Sequence, residues 1–339
     1  MRWVSLLSLT FSAVTTLGAP GARDSYRLAR EIPKAERERI QNAIAATIPV
    51  HFADQKCTGV FVGTTGELLT NLHCLEACLD EGGEKVAATE NLPDTNFARK
   101  RILPGALGTS CPVRFGKKNA DGLKLQLVNG HAKLLQVFGP GWTAPREFLT
   151  LFALFNPEVV KQLMDEGFEG SGDLVLVQMV EGNRAIESPA CATLSELPAN
   201  QIQDVIGLAY PLVDRKNANP LDPLRAMGAT LLWTEGQATR DRYELIRLGK
   251  FEESLRAIPY MLARGTFISS IDAERGASGS PVFDRQGSVL GIVRSHWKLP
   301  GTNYVPWRTQ AVDLDFHRRE IMRALGDRAC AVKNPTRVR

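Results

Sequence analysis

Three short segments of the 339-residue chain carry side chains that could do nucleophilic chemistry together. Thr70-Asn71-Leu72-His73-Cys74 follows the apolar pair Leu68-Leu69. Asp173 opens the apolar run Leu174-Val175-Leu176-Val177. Gly276-Ala277-Ser278-Gly279-Ser280-Pro281 forms a glycine-containing turn ahead of another apolar run. A serine hydroxyl is a poor nucleophile near neutral pH and needs a base within hydrogen-bond reach; imidazole titrates in that range. The imidazole needs a carboxylate to fix its tautomer and stabilise its charged form. An aspartate at the mouth of an apolar run would be largely buried, and a histidine partner accounts for a burial that is otherwise costly. Gly276 and Gly279 permit a sharp turn around Ser278, which would aim the backbone N–H groups of Gly276 and Ser278 at a developing oxyanion.

Each signal is weak alone. Gly-x-Ser-Gly is most often an ordinary turn, and an aspartate before apolar residues is a common element boundary. Their order and their separations, 100 residues from His73 to Asp173 and 105 from Asp173 to Ser278, are another matter. Jointly the segments resemble the chymotrypsin/trypsin-like serine peptidase family, particularly its bacterial secreted branch. There the histidine motif ends in His-Cys, the aspartate precedes Leu-x-Leu, and the serine motif reads Gly-x-Ser-Gly-Gly/Ser-Pro. The likeness runs from about Cys57 to the C-terminal region, and residues 80–165 have no clear counterpart.

The resemblance implies a catalytic triad of His73, Asp173 and Ser278, with Gly276 and Ser278 as the oxyanion hole. It implies an endopeptidase that cleaves a protein or peptide substrate through an acyl-enzyme, without metal or organic cofactor. Gly291-Ile292-Val293-Arg294-Ser295 fits the substrate-binding strand and marks Ser295 as substrate-binding. By the same resemblance Asp272, six residues before Ser278, corresponds to the base of the primary specificity pocket. There it either selects basic residues or, with Trp307 closing the pocket, serves structure. Cys57 and Cys74 have the spacing of the family's histidine-loop disulfide, and the family's architecture favours Cys78–Cys111 with Cys191–Cys330. One departure stands out. Ala277 replaces the aspartate that pairs with a newly cut N-terminus in the animal digestive enzymes, so maturation by that ion pair is not expected. Two other classes compete. A catalytically silent, protease-like binding module usually lacks a triad residue, and none is missing here. An α/β-hydrolase orders its triad serine first and carries Gly-x-Ser-x-Gly, where this chain has Ser280 in the fifth position.

The elements that must position these residues are mostly strands. Short apolar runs separated by Gly-containing turns recur from about residue 49, which argues for a sandwich or barrel. The resemblance narrows this to an all-β fold: two antiparallel six-stranded β-barrels, chymotrypsin-like, with a C-terminal helix and a helical insertion. The N-terminal barrel is expected over 49–195, with the insertion at about 80–166. The C-terminal barrel is expected over 196–312, and a helix with a basic tail over 313–339. Within the insertion, 80–122 reads as polar loop, and 145–166 as helix from Phe148, Leu149, Phe152, Phe155, Val159 and Leu163. Residues 21–48 form a helical segment or pro-segment, with Pro33 opening a helix over 34–48 and Ile40, Ala43, Ile44 and Ile48 on one face.

Composition bounds the rest. Hydrophobic residues make up 44% and charged residues 23%, which excludes global disorder. The net charge of +4 is scattered, so no nucleic-acid partner is indicated. Beyond the first 20 or so residues no apolar stretch is long enough to span a bilayer, so no stable membrane insertion is expected. Residues 1–20 have the layout of a signal peptide: Met1-Arg2, an uncharged apolar stretch from Trp3 to Leu17, then small residues. Export, periplasmic or extracellular, follows, and six cysteines suit an oxidising compartment. They contain no Cys-x-x-Cys pair and no clustered histidine, so no metal site is expected.

Overall fold

The computed structural model describes residues 27–53, 55–79, 83–86, 99–102, 106–118, 125–139, 142–143, 173–188, 190–196, 202–212, 230–240, 265–273, 276–296 and 309–330. The expected signal peptide, the 145–166 helix, Trp307 and the basic tail lie outside the described residues.

In chain order the first half contains β1 (Arg27–Leu28), α1 (Lys34–Arg39), α2 (Gln41–Ala46), β2 (Thr47–Phe52), β3 (Gln55–Phe61) and β4 (Glu67–Thr70). It continues through α3 (Glu76–Leu79), β5 (Gly83–Val86), β6 (Arg99–Ile102), β7 (Ser110–Lys118), β8 (Leu125–Phe138), β9 (Trp142–Thr143), β10 (Leu174–Glu181) and β11 (Arg184–Ala185). Strands β10-β4-β3-β2-β7-β8 lie side by side, and β8 pairs with β10 to close a six-stranded antiparallel barrel. The second half contains β12 (Gln203–Ala209), β13 (Leu232–Thr239), β14 (Thr266–Ser269), β15 (Pro281–Asp284), β16 (Val289–His296), β17 (Thr309–Asp313) and α4 (Arg318–Leu325). The order β13-β12-β15-β16-β17-β14 closes a second barrel through β13 and β14. Full closure leaves few open strand edges. Its lumen is filled by Val205, Phe267, Ile271, Val282, Leu290 and their neighbours.

Two sequence expectations change. Strands β7 and β8 fall inside the range expected as an insertion, yet both are barrel walls. Cys111, Val113 and Phe115 of β7 are buried while Ser110, Pro112 and Arg114 between them are exposed. A half-buried strand has that alternation, and its polar half masked it in the composition. Within that range, the described strands outside the barrel are those of the small sheet β5-β6-β9. The helix expected over 34–48 breaks at Ile40, and its last part is strand. Thr47 is the last helix residue's cap; its hydroxyl donates to the Ala43 carbonyl at 2.7 Å and its backbone is extended. Pro49 disfavours helical geometry at Ile48, so the chain leaves α2 directly as β2.

The two ends of the described chain each bind the barrel remote in sequence. β1 pairs with β13, Arg27 opposite Trp233 and Leu28 opposite Leu232. Ile32, Ile40 and Ile44 of the N-terminal segment are buried, and Arg285 of the second barrel bridges Glu36 and Glu235. Conversely, Ile321 and Leu325 of α4 join the core of the first barrel. Arg328 pairs there with the buried Glu67 at 2.9 Å, and the Cys330 N–H donates to the Val62 carbonyl.

Candidate active site

Strand pairing explains how His73 and Asp173 meet. Thr70, the last residue of β4, lies opposite Val175 near the start of β10. The turn after β4 and the residue before β10 therefore leave the barrel side by side. His73 sits in a single 3₁₀ turn, Leu72–Leu75. Its backbone N–H donates to Asp173 Oδ1 at 2.9 Å, and its Nδ1 lies 2.8 Å from Asp173 Oδ2. The buried Asn71 donates from Nδ2 to the Asp173 carbonyl at 2.8 Å. Asp173 is buried, whereas a quarter of the His73 side chain is exposed. Arg294 of β16 places Nε 3.8 Å from Asp173 Oδ2. Burial pushes the Asp173 carboxyl up, but the His73 charge and hydrogen bonds and the Arg294 charge outweigh it and hold it below the ordinary value.

Ser278 lies on the turn between Gly276 and Gly279, which have φ of +88° and +82°. Both are left-handed conformations that favour glycine. A Cβ on Gly279 would also fall 2.0 Å from the Thr58 carbonyl oxygen, so the turn lies directly against β3 of the first barrel. Thr58 holds it there. Its N–H donates to the Ser278 carbonyl at 2.8 Å, and its hydroxyl donates to the Gly276 carbonyl at 3.2 Å while accepting from Tyr210 N–H at 3.1 Å. Its own carbonyl accepts from the Thr70 hydroxyl at 2.8 Å. On the far side, Gly279 N–H donates to Val293, and Val293 N–H to Ser280. Among the described residues, the N–H groups of Gly276 and Ser278 and the Ser278 hydroxyl make no hydrogen bond.

The structure thus brings His73 and Asp173 into contact and packs the Ser278 turn against β3, the strand paired with the one that leads into the histidine turn. Asp272 is buried one residue beyond Ile271, with its N–H 3.4 Å from the Thr234 hydroxyl. The Ser295 backbone pairs with Gln310 in β16–β17. Thr58, Asn71 and Arg294 were missed as site residues by sequence reasoning. Asn71 stands inside the histidine motif, and Arg294 is a lone charge in an apolar strand; both were visible signals. Thr58 carried none. Of the remaining histidines, His51 and His317 are buried and His131 lies exposed on β8.

The cysteines pair as Cys57–Cys74, Cys78–Cys111 and Cys191–Cys330. The sulfurs of Cys57 and Cys74 and a His73 ring nitrogen lie within 4.8 Å of one another. Joined in a disulfide, those sulfurs offer neither a thiolate ligand nor a nucleophile. No helix among the described residues is long and apolar enough to cross a membrane.

Comparison with solved structures gives likenesses of low identity. The chain of "Crystal structure of Deg5" matches at 12% identity and a TM-score of 0.43, covering 85% of this chain and 94% of that one. Neuropsin, a serine protease expressed in the limbic system of mouse brain, matches at 17% identity and a TM-score of 0.46, covering 84% and 96%. The inactive form of the Rv3671c protease matches at 12% identity and a TM-score of 0.40, covering 86% and 93%. No curated protein matches the chain. The sequence model of the trypsin-like peptidase domain matches residues 57–292, a span that contains His73, Asp173 and Ser278 and most of both barrels. The chain belongs to the trypsin-like peptidase family.

Proposed function

We propose that the protein is a secreted serine endopeptidase in which His73, Asp173 and Ser278 form the catalytic triad. The observation that carries this reading is the two-pronged contact of Asp173 with the backbone and ring of His73. It commits Nδ1 to the carboxylate and leaves Nε2 as the base. Ser278 attacks the scissile carbonyl carbon and passes its proton to His73 Nε2. The oxyanion is held by the N–H groups of Gly276 and Ser278. Collapse expels the amine, which takes the proton from His73, and leaves the acyl group on Ser278. Water then repeats the sequence and releases the acid. The Ser278 hydroxyl is not yet hydrogen-bonded to the ring; such bonds often tighten only with substrate in place.

Peptide substrates, an N-terminal signal peptide and export belong to the same proposal. Three disulfides support it, because they persist in oxidising compartments. A labelled fluorophosphonate tests the centre, since only an activated serine reacts. The expected result is labelling of the wild type at Ser278 and none of Ser278→Ala. An unlabelled, correctly folded wild type would instead indicate a silent binding module.

A further inference from the structure

We propose that the Thr58 hydroxyl is the device that fixes the oxyanion hole, making Thr58 a positioning residue; the inference rests on the peptidase reading of Ser278. The peptide unit carrying the Ser278 N–H lies between two carbonyls, those of Gly276 and Ser278. Both are taken by Thr58, one by its hydroxyl and one by its N–H. With the peptide units before and after it anchored, the Ala277–Ser278 unit has little freedom to rotate. Its N–H and that of Gly276 are left for a ligand oxygen.

Val293 holds the far side of the turn, at Gly279 and Ser280, but among the described residues only Thr58 holds the carbonyls of Gly276 and Ser278. Ala277, buried in the lumen of the second barrel, contributes no charge. Its carbonyl is used inside the turn by Ser280 N–H. The hydroxyl of Thr58 is itself aimed, because Tyr210 N–H occupies a lone pair and leaves the proton for Gly276. Thr58 is wholly buried, so water does not compete for these bonds. It also adjoins Cys57, whose disulfide reaches Cys74 beside His73. One residue thus sets the Ser278 turn in register with the base.

The test is Thr58→Val, which keeps the branched shape and removes the hydroxyl, alongside Thr58→Ser, which keeps the hydroxyl. Sites are counted by fluorophosphonate titration, and kcat is expressed per titrated site. The expected result for Thr58→Val is a kcat lower by roughly 10- to 100-fold at unchanged KM, since loss of a whole oxyanion donor costs about 10²–10³-fold. A peptide aldehyde, whose adduct carries an oxyanion, should lose affinity in the same proportion, while a non-covalent product peptide should bind as before. Thr58→Ser should restore kcat to within a few-fold. A purely structural role would reduce the number of sites and leave turnover per site and the aldehyde-to-product ratio unmoved; that outcome overturns the inference and leaves the peptidase reading intact. If Thr58→Val does not fold, Thr58→Ala, which leaves room for a water, is read in the same way. A wild type that fails to titrate overturns both.

Discussion

Arg294 and His73 address the same oxygen of Asp173: Nε of the arginine stands 3.8 Å from Oδ2, and Nδ1 of the histidine 2.8 Å from it. A buried carboxylate is thereby flanked on one side by a fixed cation and on the other by the proposed base. The carboxyl is held below its ordinary value in the folded chain, so it stabilises the fold above about pH 4 and loses that contribution as pH falls through the lowered value. Arg294→Gln removes one of the groups that lower it. The acid unfolding midpoint, followed by circular dichroism, should move to higher pH. An unchanged midpoint would mean that His73 alone sustains the charge.

Within the proposed triad the two partners of His73 should fail differently. Ser278→Ala removes the nucleophile and should lower kcat by roughly 10⁶-fold with the fold intact. Asp173→Asn keeps the shape, favours the wrong tautomer and should lower the rate by about 10⁴-fold near neutral pH. Steady-state kinetics on a peptide substrate checks both. Full activity in either variant refutes the corresponding role.

Lys118 gives a stability signature in the opposite pH range. Its ammonium donates to the Ile44 carbonyl and lies 5.5 Å from the centre of the Tyr210 ring. Burial pushes it down from 10.5 to about 7. The unfolded chain then binds more protons between those values, so stability should rise with pH from about 7 towards 10. Tyr210, held protonated by burial, reverses the trend above about 10. Urea midpoints measured across that range should rise for the wild type and flatten in Lys118→Met.

The attachment of α4 to the first barrel should be costly to undo. Glu67 is wholly buried and accepts from Arg328 as well as from the N–H and hydroxyl of Thr65. Arg328→Ala leaves the carboxylate its two Thr65 donors and should cost about 1–3 kcal/mol. Opening Cys191–Cys330, which spans 139 residues, should cost roughly 2–5 kcal/mol. Denaturant unfolding of the single and combined variants measures both.

Asp272 offers a direct choice between the two sequence readings of the specificity pocket. Buried as it is, its replacement by serine should either erase a preference for basic residues at the cleaved bond or lower the melting temperature without moving that preference. Peptide-library cleavage and thermal unfolding of the one variant distinguish the two.

Membership of the trypsin-like peptidase family was legible where it depends on residue type and order. His73, Asp173 and Ser278 each stand at the end of an apolar run, and those runs are the strands that deliver them. The cysteine pairing, by contrast, came from family likeness; six cysteines alone permit fifteen arrangements. What stayed hidden depends on partners remote in sequence. β7 and β8 are half polar because each turns one face to solvent, so composition disguised them. Ile40 reads as a residue of one helix face, yet it is where the helix breaks. Thr58 is an unremarkable strand threonine until the Ser278 turn, 220 residues later, is laid against it.

The ends of the described chain are exchanged: β1 pairs with β13 of the second barrel, and α4 with Cys330 packs on the first. Ribosomal synthesis proceeds from the N-terminus, so the first barrel emerges without Ile321, Leu325 or the partner of Cys191. Leu28 emerges long before Leu232, the residue it pairs with in β13. Neither half has all its native contacts until the last turn of α4 is made. The Ser278 turn takes its hydrogen bonds from Thr58 in one barrel and Val293 in the other, so it is complete only when both are in place. For a protein proposed to cut other proteins, that topology makes hydrolytic competence depend on both barrels at once.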